Sequence, residues 1–213
     1  MVLITGLIDF ILHIDKHLAE IIQNYGTWTY LILFLIIFSE TGFVITPFLP
    51  GDSLLFVIGA LGASGALDFK LVLILLIIAA LGGNTLNYFI GKMIGHKVLA
   101  MKNSRIIKKE YLEKTHAFYE KHGGKALVLS RFLPIIRTFA PFVAGVGRMS
   151  VLKFTIYNMV GGIAWILAFM FGGYFFGNIP AVKNNFTYVI LFIILVSLLP
   201  AIITYIKSKR PKS

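Results

Sequence analysis

The chain has 213 residues, 58% of them hydrophobic, with a mean hydropathy of +0.86. That is too apolar for a soluble domain, and the length suits one compact membrane domain of about four to six hydrophobic elements with no room for a separate soluble one. The absence of cysteine removes disulfides and Cys-ligated metal sites, and the net charge of +11 sits where a membrane protein puts it. Ten of the 20 Lys and Arg fall between Lys92 and Arg131, and four more lie in the tail KSKRPKS. This follows the positive-inside rule. No nucleic-acid motif accompanies the charge, so a nucleic-acid partner is not expected.

Residues 1–24 read as an amphipathic helix at the membrane surface. Leu3, Ile4, Leu7, Ile8, Ile11, Leu12, Leu18, Ile21 and Ile22 share one face, against Asp9, His13, Lys16, His17 and Glu20 on the other. With no basic n-region and no A-x-A site, this segment is expected to be retained rather than cleaved. Thr27–Ile45 is apolar except for Ser39, Glu40 and Thr41, and Pro47 and Pro50 then break it. At 1.5 Å per residue this stretch is nearly long enough to span, which leaves open whether it crosses or re-enters. Ser53–Gly65 is apolar but short. Leu71–Ile90 is a spanning helix carrying Gly82, Gly83, Asn84 and Asn87, small and polar residues suited to close packing.

Ser104–His122 is a polar amphipathic helix expected on the cytoplasmic surface, stopped by Gly123 and Gly124. Lys125–Gly147 holds Arg131, Pro134, Arg137 and Pro141, too many interruptions for one clean span. Phe154–Phe176 and 186–206 read as spanning helices, and 207–213 as a basic cytoplasmic tail.

Landmarks repeat. FLP at 48–50 returns at 132–134, Phe69 is matched by Phe154, and YFIG at 88–91 by YFFG at 174–177, at offsets of 84, 85 and 86. Each repeat is a broken apolar segment, a polar corner and a spanning helix. The expected fold is therefore all-α. A membrane domain at 25–180 contains repeat one over about 27–100 and repeat two over about 124–180. If each broken segment is a re-entrant hairpin, a single spanning helix between them makes the repeat inverted, with the C-terminus cytoplasmic. The hairpin breaks would lie at Pro47, Pro50, Gly51, Pro134 and Pro141, with half-helices beginning near Gly51 and Thr138.

Broken helices at membrane depth are tolerated where protein or water covers them, and transporters build midplane sites from them. The first tip carries Glu40 and Asp52, the second Arg131 and Arg137. Each ionised group at that depth costs at least about 2.5–3.5 kcal/mol on insertion scales. Four of them call for mutual compensation, either as a purely structural ion cluster or as a polar site for a charged substrate. The arginine fork matches phosphate, and half-helix N-termini add N–H donors. Glu40 and Asp52 are candidates for proton coupling, since burial and a neighbouring arginine act on a carboxylate in opposite directions. Asn84, Asn87 and Asn158 are candidate cavity-lining residues; a packing seam is an equal alternative for Asn84 and Asn87, and Asn158 reads with Trp165 as a packing or interface residue first. His13, His17, His116 and His122 read as solvated surface. No metal site, cofactor or enzymatic motif of the Walker A, G-x-S-x-G or H-E-x-x-H kind is found in the sequence.

The stretch ETGFVITPFLPGD, with SRFLPIIRTFAPFVAGVGRMS and FTIYNMVGGIAW, resembles the paired signatures of the DedA family, also called SNARE-associated or VTT-domain membrane proteins, over about residues 25–180. The resemblance implies a multi-pass protein of the bacterial cytoplasmic membrane. It implies return of undecaprenyl phosphate, the cell-wall carrier lipid, to the cytoplasmic leaflet, with dependence on the proton motive force. It also implies functional roles for Glu40, Asp52, Arg131 and Arg137. The expected function is a proton-coupled polyprenyl-phosphate flippase, not an enzyme, with Arg131 and Arg137 on the phosphate. The expected partners are polyprenyl phosphate or phospholipid, protons and the bilayer. Alternatives are a broader phospholipid flippase or scramblase, for phosphatidylethanolamine for example, and a proton-coupled small-ion or drug antiporter. A lipid-phosphate phosphatase lacks a nucleophile beside SRFLPIIRT. The sequence leaves oligomeric state open, a homo-oligomer included.

Overall fold

The computed structural model describes residues 14–43, 51–100 and 123–196. The Pro47 and Pro50 breaks, the 104–122 helix, His13, His116, His122 and the tail lie outside them. Every regular element among the described residues is helical. In chain order they are α1 (Ile14–Tyr25), α2 (Trp28–Gly42), α3 (Gly51–Ala63), α4 (Phe69–Ala100), α5 (Ala126–Ser130), α6 (Pro134–Val146), α7 (Val151–Phe176), the single turn α8 (Pro180–Lys183) and α9 (Phe186–Val196).

Two of these are long and apolar enough to cross a membrane, Phe69–Ile94 within α4 and Val151–Phe176. Only a third of each apolar window is buried, so most of that surface faces outward, as lipid contact demands and a soluble core does not. Both helices begin at a cap that composition alone does not reveal. The Leu71 N–H donates to Asp68 Oδ1 at 3.0 Å, and the Lys153 N–H to Ser150 Oγ at 3.4 Å. The apolar stretch from Thr27 yields a 15-residue helix, α2. That is about 22 Å long, short of the roughly 30 Å hydrocarbon core.

Contacts at the helix ends place each element. The Asp68 N–H donates to Tyr30 Oη at 2.9 Å, and Asn178 Nδ2 to the Ala60 carbonyl at 3.1 Å. Thus the start of α2, the end of α3, the start of α4 and the end of α7 share one end of the molecule. At the other end Tyr88 Oη donates to the Met149 carbonyl, and the Tyr157 ring fills the space where a side chain at Gly124 would stand. There the latter part of α4, the start of α5, the end of α6 and the start of α7 come together. α1 lies at the first end, with Leu18 buried and the Thr29 hydroxyl bonded to the Ile21 carbonyl.

The short helices pack crosswise. α3 lies on α7, and a Cβ at Gly59 would overlap the Met170 carbonyl. α6 lies on α4, and a Cβ at Gly145 would overlap the Tyr88 carbonyl. Glycine at both points lets one backbone rest on another. Gly59 and Gly145 are 86 residues apart, the offset that also relates YFIG to YFFG. The main core, with Leu33, Leu55, Ile58, Leu76, Trp165 and Ile166, lies among α2, α3, α4 and α7. A smaller one, around Tyr88, Phe154 and Ala140, joins α4, α6 and α7.

Candidate functional site

Glu40 lies in the last turn of α2 and Asp52 in the first turn of α3, where an acid complements the helix dipole. Arg137 stands in the first turn of α6. All three are buried, at 1%, 7% and 6% exposure, and they meet. Arg137 Nη2 donates to Glu40 Oε1 and Nη1 to Asp52 Oδ1, each at 2.5 Å. One guanidinium fork thus links two carboxylates from separate helices, the geometry that compensates for desolvation. The Gly51 backbone presses on the Glu40 carboxylate so closely that any Cβ there would overlap it.

Trp165 completes this cluster. Its indole N–H donates to Asp52 Oδ1 at 2.8 Å, and the Arg137 guanidinium lies 4.7 Å over its ring, a desolvated cation–π contact. A tryptophan inside an apolar run looks like packing, and nothing in its spacing identifies the hydrogen bond. The sequence reading therefore undervalued it.

Arg131 occupies the interruption between α5 and α6, buried at 2% exposure. Its Nη2 donates to Asn158 Oδ1 at 2.7 Å, and Asn84 Nδ2 donates to the same oxygen at 2.9 Å. Asn158 Nδ2 reaches the Leu81 carbonyl at 3.2 Å and Thr85 Oγ1 at 3.5 Å. Asn87 uses its amide nitrogen on two carbonyls, Thr41 at 3.3 Å and Thr138 at 2.8 Å. Those carbonyls immediately follow Glu40 and Arg137, so Asn87 holds the partners of one ion pair in register across α4. Asn84, Asn87 and Asn158 are therefore polar connectors of the site, not inert packing.

Two expectations about the second break are corrected. α6 begins at Pro134, not near Thr138; proline at the first helical position has no N–H to leave unsatisfied and a φ already suited to the helix. Pro141 is not a break: α6 runs through it to Val146. The helix loses one internal hydrogen bond there, and packing of Phe139, Ala140 and Phe142, all buried, holds the segment helical. α3 is described from Gly51 onward, and residues 44–50 before it lie outside the described ones.

The model of the VTT domain matches residues 49–175. The chain is 55% identical to Protein DedA of Escherichia coli K12 over 212 residues, covering 99% of this chain and 97% of that one. It belongs to the DedA family of VTT-domain membrane proteins. Inner membrane protein YqjA of the same organism is 34% identical over 71% of this chain and 69% of its own length. Uncharacterized membrane protein ML0287 of Mycobacterium leprae is 42% identical over 84% and 80%. No solved structure matches the chain. The relatives are membrane proteins of bacteria, and this DedA-family chain is one as well. DedA-family membrane proteins are not known as enzymes.

Proposed function

We propose that the protein is a proton-coupled flippase that returns undecaprenyl phosphate, or a similar polyprenyl phosphate, across the cytoplasmic membrane. The observation that carries this reading is the ion cluster where the two broken segments meet. Glu40, Asp52 and Arg137 converge from α2, α3 and α6, beside Asn84, Asn87, Asn158 and Trp165 from the middle stretches of the two spanning helices. Ionised groups gathered at mid-membrane depth are expensive and mark substrate and proton routes.

In this reading α2–α3 and α5–α6 are re-entrant hairpins of an inverted repeat. The shared ends of each pair and the crosswise glycine contacts at an offset of 86 support it. The phosphate enters from the outer face towards Arg131 and Arg137, while the prenyl chain stays in lipid. Protonation of Glu40 or Asp52 weakens that carboxylate's hold on Arg137, the hairpin tips part, and the site opens inward. The arrangement supports transport without bond-breaking, and neither cofactor nor metal enters it.

A second reading has its own observation. Asn87 Oδ1 is a buried acceptor without a hydrogen-bond donor among the described residues, beside the Glu40 carboxylate, and an oxygen acceptor of this kind suits a small cation. Exchange of protons for such a cation is the competing function.

Reconstitution separates them. Liposomes carrying the purified protein, labelled undecaprenyl phosphate or labelled phosphatidylethanolamine would be followed for loss of outer-leaflet label, with and without a pH gradient. Movement of the polyprenyl phosphate alone, faster with the gradient and lost in Arg131→Ala, is expected. Equal movement of both lipids would replace the flippase with a scramblase. Cation-driven pH change without lipid movement would favour the exchanger.

A further inference from the structure

Two donors from different elements aim at one atom. Arg131 Nη2, from the break before α6, and Asn84 Nδ2, from α4, both point at Asn158 Oδ1, at 2.7 and 2.9 Å. A guanidinium and an amide N–H converging on a single oxygen is how proteins hold one oxygen of an oxyanion. Here that oxygen belongs to an asparagine on α7. Its orientation follows from its other end, because Asn158 Nδ2 meets the Leu81 carbonyl, which can only accept. All three side chains are buried, at 1% to 3% exposure.

We infer that this point is an oxyanion subsite. The Asn158 amide oxygen is its stand-in occupant in the closed state, and Asn84 binds the ligand together with Arg131. The ligand class is a phosphate headgroup, and the inference rests on the transport reading above. The chemistry of the stand-in decides the matter. Hydrogen bonds to an ionised acceptor are roughly twice as strong as neutral ones, so a phosphate oxygen displaces an amide oxygen from Arg131. A carboxylate in the same place would compete on equal terms and keep the site shut, as Glu40 and Asp52 do around Arg137. Until the ligand arrives, Asn158 keeps both donors aimed and satisfied, which removes the cost of leaving them buried without an acceptor.

The test is direct binding by the purified full-length protein in detergent, measured calorimetrically with farnesyl phosphate and, in a separate arm, inorganic phosphate. Wild type binds farnesyl phosphate. Asn84→Ala and the isosteric Asn84→Asp weaken it by about 10-fold or more, the loss of one donor to a charged acceptor. Asn158→Asp weakens it comparably, whereas Asn158→Ala binds as tightly as wild type or more tightly. That last result separates a stand-in from a scaffold, for a merely structural Asn158 would lose binding on truncation. Unchanged affinity in Asn84→Asp, or parallel losses in Asn84→Ala and Asn158→Ala, would overturn the inference, as would failure of the wild type to bind either probe. Tight binding of inorganic phosphate with none of farnesyl phosphate would assign the subsite to free phosphate. Binding with the expected variant pattern, but no lipid movement in liposomes, would leave the subsite standing and sink the flippase.

Discussion

Arg131 and Arg137 lie six residues apart on one broken segment, yet the fold surrounds them differently. Arg137 is held by two carboxylates and roofed by an indole. Arg131 donates to an amide oxygen that it shares with Asn84. The same side chain is thus placed once between two carboxylates of separate helices and once against an amide oxygen that a second donor shares. Residue type and depth tell which groups are costly to bury; only the fold tells which partners each of them meets.

The sharpest way to break this contrast is to remove Arg137. Arg137→Ala leaves Glu40 and Asp52 buried without their cation, and breaking a buried pair costs about 3–5 kcal/mol. A large drop in thermal midpoint in detergent is expected, with poor recovery of folded protein. A midpoint close to that of wild type would show that the carboxylates do not depend on Arg137. Gly145→Ala should come next, since its methyl must overlap the Tyr88 carbonyl on α4. Overpacking of this kind costs about 1–3 kcal/mol. Gly82→Ala, whose methyl would only touch the Phe38 ring at 3.4 Å, should melt with the wild type and serves as the control.

Trp165→Phe sharpens the same contrast from the other side. It keeps most of the ring but removes the N–H to Asp52, a loss of about 1–3 kcal/mol for a donor to a charged group. The expected signature is a lower thermal midpoint with farnesyl phosphate affinity reduced less than by Asn84→Ala, because the Asn84–Arg131–Asn158 corner is untouched. A loss as large as that of Asn84→Ala would merge the two corners into one. The smallest effect belongs to Ser150→Ala, which removes the long 3.4 Å cap of α7 and should lower stability by about 0.5–1 kcal/mol without altering binding.

Much of this was legible in the sequence because membranes make charge expensive. Glu40, Asp52 and Arg137 could be picked from their apolar surroundings alone, and the structure brings all three together. What could not be read was partner choice. Hydrogen-bond geometry depends on how α4 and α7 are rotated, and hydropathy periodicity is weak in helices that are apolar all round. Trp165 was hidden for the same reason: in GGIAWILAF its ring looks like any other apolar bulk. Pro141 was misread because proline usually ends a helix, and only tertiary packing reveals where it does not.

The crosswise packing also bears on how the two halves could be made. α3 is completed by α7, and α6 by α4, so neither half of the chain buries its own short helix. A chain severed within residues 101–122, and supplied as two polypeptides in one membrane, still contains the α3–α7 and α6–α4 interfaces. The halves should find each other as subunits do, and each should be degraded when made alone.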